Sequence, residues 1–162
     1  LFNFSSMSWV YSCGAGANYG TALESALKMG ETIHIPSCCY EIEEYIHGPN
    51  LQLTPQYNVI FFDGNDGASR RVEQVYKATR KVTNRAYLIS NNPQLSRDGH
   101  VLSLSDTVSS ELSPLVYLPF VQLLSFIVSN DLHSIYQHPL LKEFKAIAAA
   151  KTENFVNYDG DD

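Results

Sequence analysis

Residues Tyr57 to Phe62 read YNVIFF, an almost unbroken apolar run that stops at Asp63-Gly64-Asn65-Asp66-Gly67. A strand with one wet face alternates apolar and polar side chains. A continuous run ending in turn residues instead belongs to a strand covered on both faces, as in a parallel sheet between helical layers. Trp9 to Cys13 (WVYSC) and Ala86 to Ser90 (AYLIS) repeat the pattern, and Val101 to Leu104 reads as a fourth strand. Ile33 to Pro36 reads as short and extended. Helices are predicted over Thr21–Glu31, Glu41–Ile46, Ser69–Val82, and from Ser113 or Pro114 to about Asn130. Thr21 is expected to cap the first, with Glu24 completing a capping box. Leu23, Ala26, Leu27 and Met29 supply its inward stripe. Strands alternating with helices predict an α/β fold, a three-layer, doubly wound, mainly parallel sheet flanked by helices, with ligands at the carboxyl ends of the strands.

A length of 162 residues suits one compact domain that needs no disulfide or metal staple. The net charge of −6 argues against a nucleic-acid partner, because phosphate backbones demand a basic surface. Cys13, Cys38 and Cys39 form no C-x-x-C spacing and have no clustered histidines. No metal site is expected, and reduced thiols fit a cytoplasmic protein. Leu115 to Val128 contains Pro119 and Gln122 and is too short to span a bilayer, so it reads as a buried helix and no membrane partner is expected. A charged start followed by an apolar core and a cleavage site is not found, so no secretory signal is expected. Gly14-x-Gly16 opens a tight turn before a helix. The dinucleotide fingerprint would need glycine at Tyr19, whereas glycine comes at Gly20, so no nicotinamide cofactor is expected.

Glu24, Lys28 and Glu31 stand at i, i+4 and i+7. Seven residues return to within about 20 degrees on a helix, so the three share one face. A solvated ion-pair face is one reading; the other is a carboxylate tuned by an ammonium neighbour for moving protons. The segment Glu43-Glu44-Tyr45-Ile46-His47-Gly48-Pro49 ends a helix on a histidine, with two carboxylates one turn earlier. A capping histidine and a proton-transfer histidine are both consistent with that placement.

Taken together, Ala22-Leu23-Glu24-Ser25-Ala26-Leu27-Lys28-Met29-Gly30-Glu31 and His47-Gly48-Pro49 sixteen residues later resemble the sugar isomerase (SIS) domain family. More narrowly, they are similar to the C-terminal half of tandem-SIS proteins: the isomerase part of glucosamine-6-phosphate synthase and the fructosamine-6-phosphate deglycases. Pro114, Tyr117 and Gln122-Leu123-Leu124 resemble that family's final helix, so the likeness covers Trp9 to Pro139. The resemblance implies a flavodoxin-like SIS domain over residues 1–137 and a tail over 138–162. It implies catalytic roles for Glu31, as the base shuttling a proton between C1 and C2 of an open-chain sugar phosphate, and for His47, assisting ring opening or acting as acid from the neighbouring subunit of a homodimer. It further implies that Glu24, Lys28, Gly14 and Gly16 line the substrate site, that the ligand is a sugar phosphate or amino-sugar phosphate, and that no cofactor is needed.

Two departures from the family pattern stand out. The family holds phosphate in an S-x-S-G-x-T loop, whereas the loop after Phe62 reads Asp63-Gly64-Asn65-Asp66-Gly67-Ala68-Ser69 and is acidic. The chain therefore reads as one half of an active unit. Lys142, Lys145 and Lys151 are out of register with the lysine of the synthase. The alternative to an isomerase or deglycase is a non-catalytic phosphosugar-sensing or dimerisation module.

Overall fold

The computed structural model describes residues 4, 6–104, 108–134 and 147. Five parallel strands, β1 (Val10–Gly14), β2 (Ser37–Glu41), β3 (Asn58–Asp63), β4 (Ala86–Ser90) and β5 (Val101–Ser103), form one sheet in the order β2-β1-β3-β4-β5. This is the flavodoxin-like doubly wound order, with the chain reversing direction across the sheet between β1 and β3. Every residue of β3 is buried, as its apolar run requires. Its side chains alternate between two cores. Ile60 and Phe62 pack with Val10, Ile89 and the helices α1 (Asn18–Ile33) and α4 (Ser113–Leu132). Val59 and Phe61 pack with Tyr11, Leu88 and the helices α2 (Ile42–Ile46) and α3 (Ser69–Thr79).

The register of α1 differs from the expected one. The helix starts at Asn18 and buries Ala22, Ser25, Met29 and Ile33, while Leu23 and Leu27 stay 49% and 52% exposed. Small residues set this phase, because α1 rides close on β1. A methyl group on Gly14 would lie 2.3 Å from the Asn18 carbonyl oxygen, and Ser12 donates a hydrogen bond of 2.8 Å to Ser25. Thr21 lies inside the helix and donates to Asn18 Oδ1, so it caps nothing, and Ala17 begins α1 without a side-chain cap. A capping box forms instead at α2, between Glu41 and Glu44.

Ile33–Pro36, expected to be short and extended, is followed by a strand that the sequence pattern does not mark, β2 at Ser37–Glu41. Ile33 belongs to the last buried turn of α1, and His34 ends that helix in the left-handed region at φ 62°. The helix expected from Ser113 or Pro114 to about Asn130 forms as α4, Ser113–Leu132. Residues Ser110–Leu132, α4 with its preceding turn, are long and apolar enough by length and composition alone to cross a bilayer. The inner side of α4 packs Tyr117, Val121 and Val128 into the sheet, and its outer side exposes Leu115, Leu123 and Phe126. The three lysines of the tail lie outside the described residues.

Candidate active site

The six residues singled out from the sequence occupy three places. Gly14 and Gly16 form the turn at the carboxyl end of β1, beside the loop after β3, where the two halves of the sheet diverge. Gly16 takes φ 54°, and a methyl group there would stand 3.4 Å from Asp66 Oδ2. One on Gly64 would stand 2.9 Å from Asn18 Nδ2, which donates to Ser113 Oγ at 2.7 Å. These glycines let two loops and the starts of α1 and α4 meet with little space between them.

The acidic loop spends its carboxylates on itself. Asp63 is fully buried; its Oδ1 accepts from the Asn65 amide at 3.0 Å and from the Ser69 hydroxyl, and its Oδ2 accepts from Ser90 Oγ at 2.7 Å. Its carbonyl accepts from Tyr117 Oη at 2.7 Å. Asp66 Oδ1 takes the Ala68 amide at 2.8 Å. The Ser69 hydroxyl and the Ala68 amide, at the start of α3, are the groups that an incoming anion would engage. Here internal carboxylates already engage them.

The outer face of α1 carries the second group. Lys28 Nζ lies 2.8 Å from Glu31 Oε2 and 3.5 Å from Glu24 Oε1, with the three side chains 30%, 50% and 32% exposed. The hydrogen bond to Glu31 holds the Lys28 ammonium above its ordinary value; desolvation opposes this and the charge of Glu24 reinforces it. Leu23 and Leu27 flank the triad. Glu31 comes thirteen residues after Asn18, about 20 Å along the helix axis. It therefore stands far from the glycine turn, and the structure does not bring Gly14 and Gly16 together with it.

His47 is the third. It closes α2 as an exposed residue, and its Nδ1 lies 2.6 Å from the Glu43 carbonyl oxygen. Arg71 of α3 clamps the Glu43 carboxylate at 2.7 and 3.1 Å and so fixes the short helix. The hydrogen bond from Arg71 lowers the Glu43 carboxyl below its usual range. No spacing rule pointed to Arg71. The helix α2 lies on the opposite face of the sheet from α1, so within one chain the sheet stands between His47 and Glu31. Burial raises the Cys39 thiol above its ordinary value, the direction of an unreactive cysteine. Among the described residues no three His, Cys, Asp or Glu side chains are grouped to hold a metal ion.

The family model for the SIS domain matches residues 4–114. The chain belongs to the SIS domain family. The isomerizing glutamine–fructose-6-phosphate aminotransferase of Methanothermobacter thermautotrophicus is 30% identical over 122 residues, which is 73% of this chain and 20% of that protein. The enzyme of the same name from Xylella fastidiosa is 28% identical over 125 residues, 76% of this chain and again 20% of the relative. This SIS chain thus spans about a fifth of the length of those curated relatives.

Two solved structures share the fold. The tagatose-6-phosphate ketose/aldose isomerase of Escherichia coli superposes with a TM-score of 0.70 at 18% identity, covering 81% of this chain and 39% of that one. The C-terminal domain of glucosamine-fructose-6-phosphate aminotransferase from Francisella tularensis gives 0.68 at 24% identity, covering 79% and 37%.

Proposed function

We propose that this SIS domain is the catalytic half of a sugar-phosphate isomerase or fructosamine-6-phosphate deglycase acting on an open-chain amino-sugar phosphate. The observation that carries the reading is Lys28 Nζ held between Glu24 and Glu31 on the outward face of α1. An ammonium between two carboxylates fixes their positions and keeps a base next to a cation that can hold a substrate oxygen. Glu31 takes a proton from one of two adjacent carbons of the linear sugar and returns it to the other. His47 exchanges a proton with the ring or carbonyl oxygen.

Because the sheet separates the two groups, the pair can work only when His47 comes from a neighbouring subunit of a homodimer. The phosphate would be held by another lobe, since this lobe's own crevice is filled by Asp63 and Asp66. In the full-length protein, Glu31→Gln and His47→Ala each lower turnover of glucosamine 6-phosphate or fructosamine 6-phosphate by about 100-fold or more. Wild-type rates in both variants would defeat the proposal.

A second reading, a non-catalytic sensing or dimerisation module, draws on Leu23, Leu27, Leu115, Leu123 and Phe126, whose exposure fits a face that another lobe covers. Thermal stabilisation by a sugar phosphate without any product would favour this reading over the first.

A further inference from the structure

We propose that the loop joining α3 to β4, Arg80 to Arg85, is a binding site for the phosphate group of a small metabolite, at the opposite end of the sheet from the filled crevice. The loop borders a cavity of about 370 Å³ whose lining includes Arg80, Lys81, Asn84 and Arg85 and no carboxylate. Among the described residues, five of the eight Lys and Arg side chains form no ion pair with a carboxylate, and three of those five stand together on this loop. Lys28, Arg71 and Lys77 each pair with a glutamate. Among the described residues no such pair forms at Arg80, Lys81 or Arg85. Arg80 feels Asp98 only at longer range, and its Nη1 is shut off from solvent with no acceptor. Arg85 spends Nη1 on the Ser6 carbonyl at 3.0 Å. A guanidinium nitrogen removed from water without an acceptor is costly, and a phosphate oxygen is the acceptor that would satisfy it best.

The simpler account of cations after a helix is that they answer its last carbonyls. Here backbone amides already do so. Arg80 N donates to Tyr76 O at 2.9 Å, Lys81 N to Ala78 O at 3.0 Å, and Val82 N and Thr83 N to Thr79 O at 2.9 and 3.0 Å. The helix end therefore does not call on the three side chains. The loop that carries them is also stiff: Thr83 Oγ1 donates to the Pro55 and Tyr57 carbonyls at 3.1 and 3.0 Å and accepts from the Arg85 amide at 3.0 Å. Cations on a stiff loop beside a small polar cavity suit one dianionic phosphate rather than a long polyanion, which the acidic remainder of the chain would repel.

The test titrates the full chain, at low salt and pH 7.5, with inorganic phosphate in one arm and glucose 6-phosphate in the other, following backbone amide shifts. Saturable shifts at Lys81 to Arg85 in the millimolar range are expected with both; tighter binding of glucose 6-phosphate would identify the sugar ester as the ligand, and equal binding would identify the phosphate alone. Lys81→Gln and Arg85→Gln each weaken binding about threefold to tenfold, and the triple variant with Arg80→Gln abolishes it. Arg80→Lys keeps the charge at the half-buried position and stays within about threefold of wild type. The proposal is overturned by no saturable shift in either arm, by unchanged affinity in the triple variant, or by a single-stranded oligonucleotide that binds at lower concentration than phosphate does.

Discussion

The two helical layers of this SIS domain finish their outer surfaces differently. On the α2–α3 side the polar tips of buried aromatics meet partners inside the lobe. Tyr45 Oη lies 2.9 Å from Thr79 Oγ1, Tyr76 Oη donates to Asp98 at 2.8 Å, and the outer surface is tied by Arg71 and Glu43. Beneath them, Tyr45 and Tyr76 set their rings edge-on to Phe61. On the α1–α4 side the inner surface is equally well packed, but Leu23 and Leu27 of α1 and Leu115, Leu123 and Phe126 of α4 are exposed, and α1 carries the Glu24–Lys28–Glu31 triad. On the α2–α3 side the buried polar tips are satisfied within the chain, though Leu51 in the turn after α2 stays 85% exposed. The other exposes four leucines and a phenylalanine, on the side where the proposed chemistry would need a second lobe.

Three measurements break or sharpen this contrast. The largest effect is expected at the buried junction of the α2–α3 layer, where Phe61→Ala removes the ring on which two tyrosines pack and costs about 3–5 kcal/mol in chemical denaturation. A loss below about 1 kcal/mol would mean that the layer is not tightly packed.

On the α1–α4 layer, Leu123→Glu together with Phe126→Glu should change the stability of the lobe by less than about 0.5 kcal/mol. The same pair should reduce association seen by sedimentation. A large loss of stability would instead show that this face packs inside the lobe.

The smallest effect concerns Asp98, whose carboxyl is held below its ordinary value; desolvation acts to raise it, but the His100 amide and the Tyr76 hydroxyl outweigh that. A carboxyl lowered by folding contributes stability above its unfolded value near 4, and that contribution is lost as pH falls through the folded value. The exposed setting limits it to about 0.5 kcal/mol. Asp98→Asn should flatten the pH dependence of the urea midpoint between pH 6 and 3 by that amount and leave the midpoint slope unchanged.

Much of the fold was legible where one force dominated. The apolar run at Tyr57–Phe62 marked β3 because double-sided burial leaves no room for polar alternation, and Ala86–Ser90 coincides with β4. The phase of α1 was not legible. Hydrophobicity favoured an inward Leu23 and Leu27, but close approach to β1 selected Ala22 and Ser25, a steric demand visible only once Gly14 and Asn18 are in space. The position of β2 was missed because Ile33 is apolar whether it ends a helix or begins a strand.

At the candidate site, spacing sufficed for the Lys28 pairs, which are local to one helix. It carried no information on which side of the sheet His47 would lie, because that depends on the path of the chain through β2. Arg71 was invisible for the same reason, since its partner Glu43 is 28 residues away.

The self-satisfied turn after β3 has a practical corollary. In a doubly wound fold that corner is where ligands enter. Here Asp63 closes it with bonds inside the chain, so hydrogen exchange at the Asn65 amide should already be slow with no guest present. Exchanging Asp63 for alanine would release the Asn65 amide and the Ser69 and Ser90 hydroxyls that it now holds.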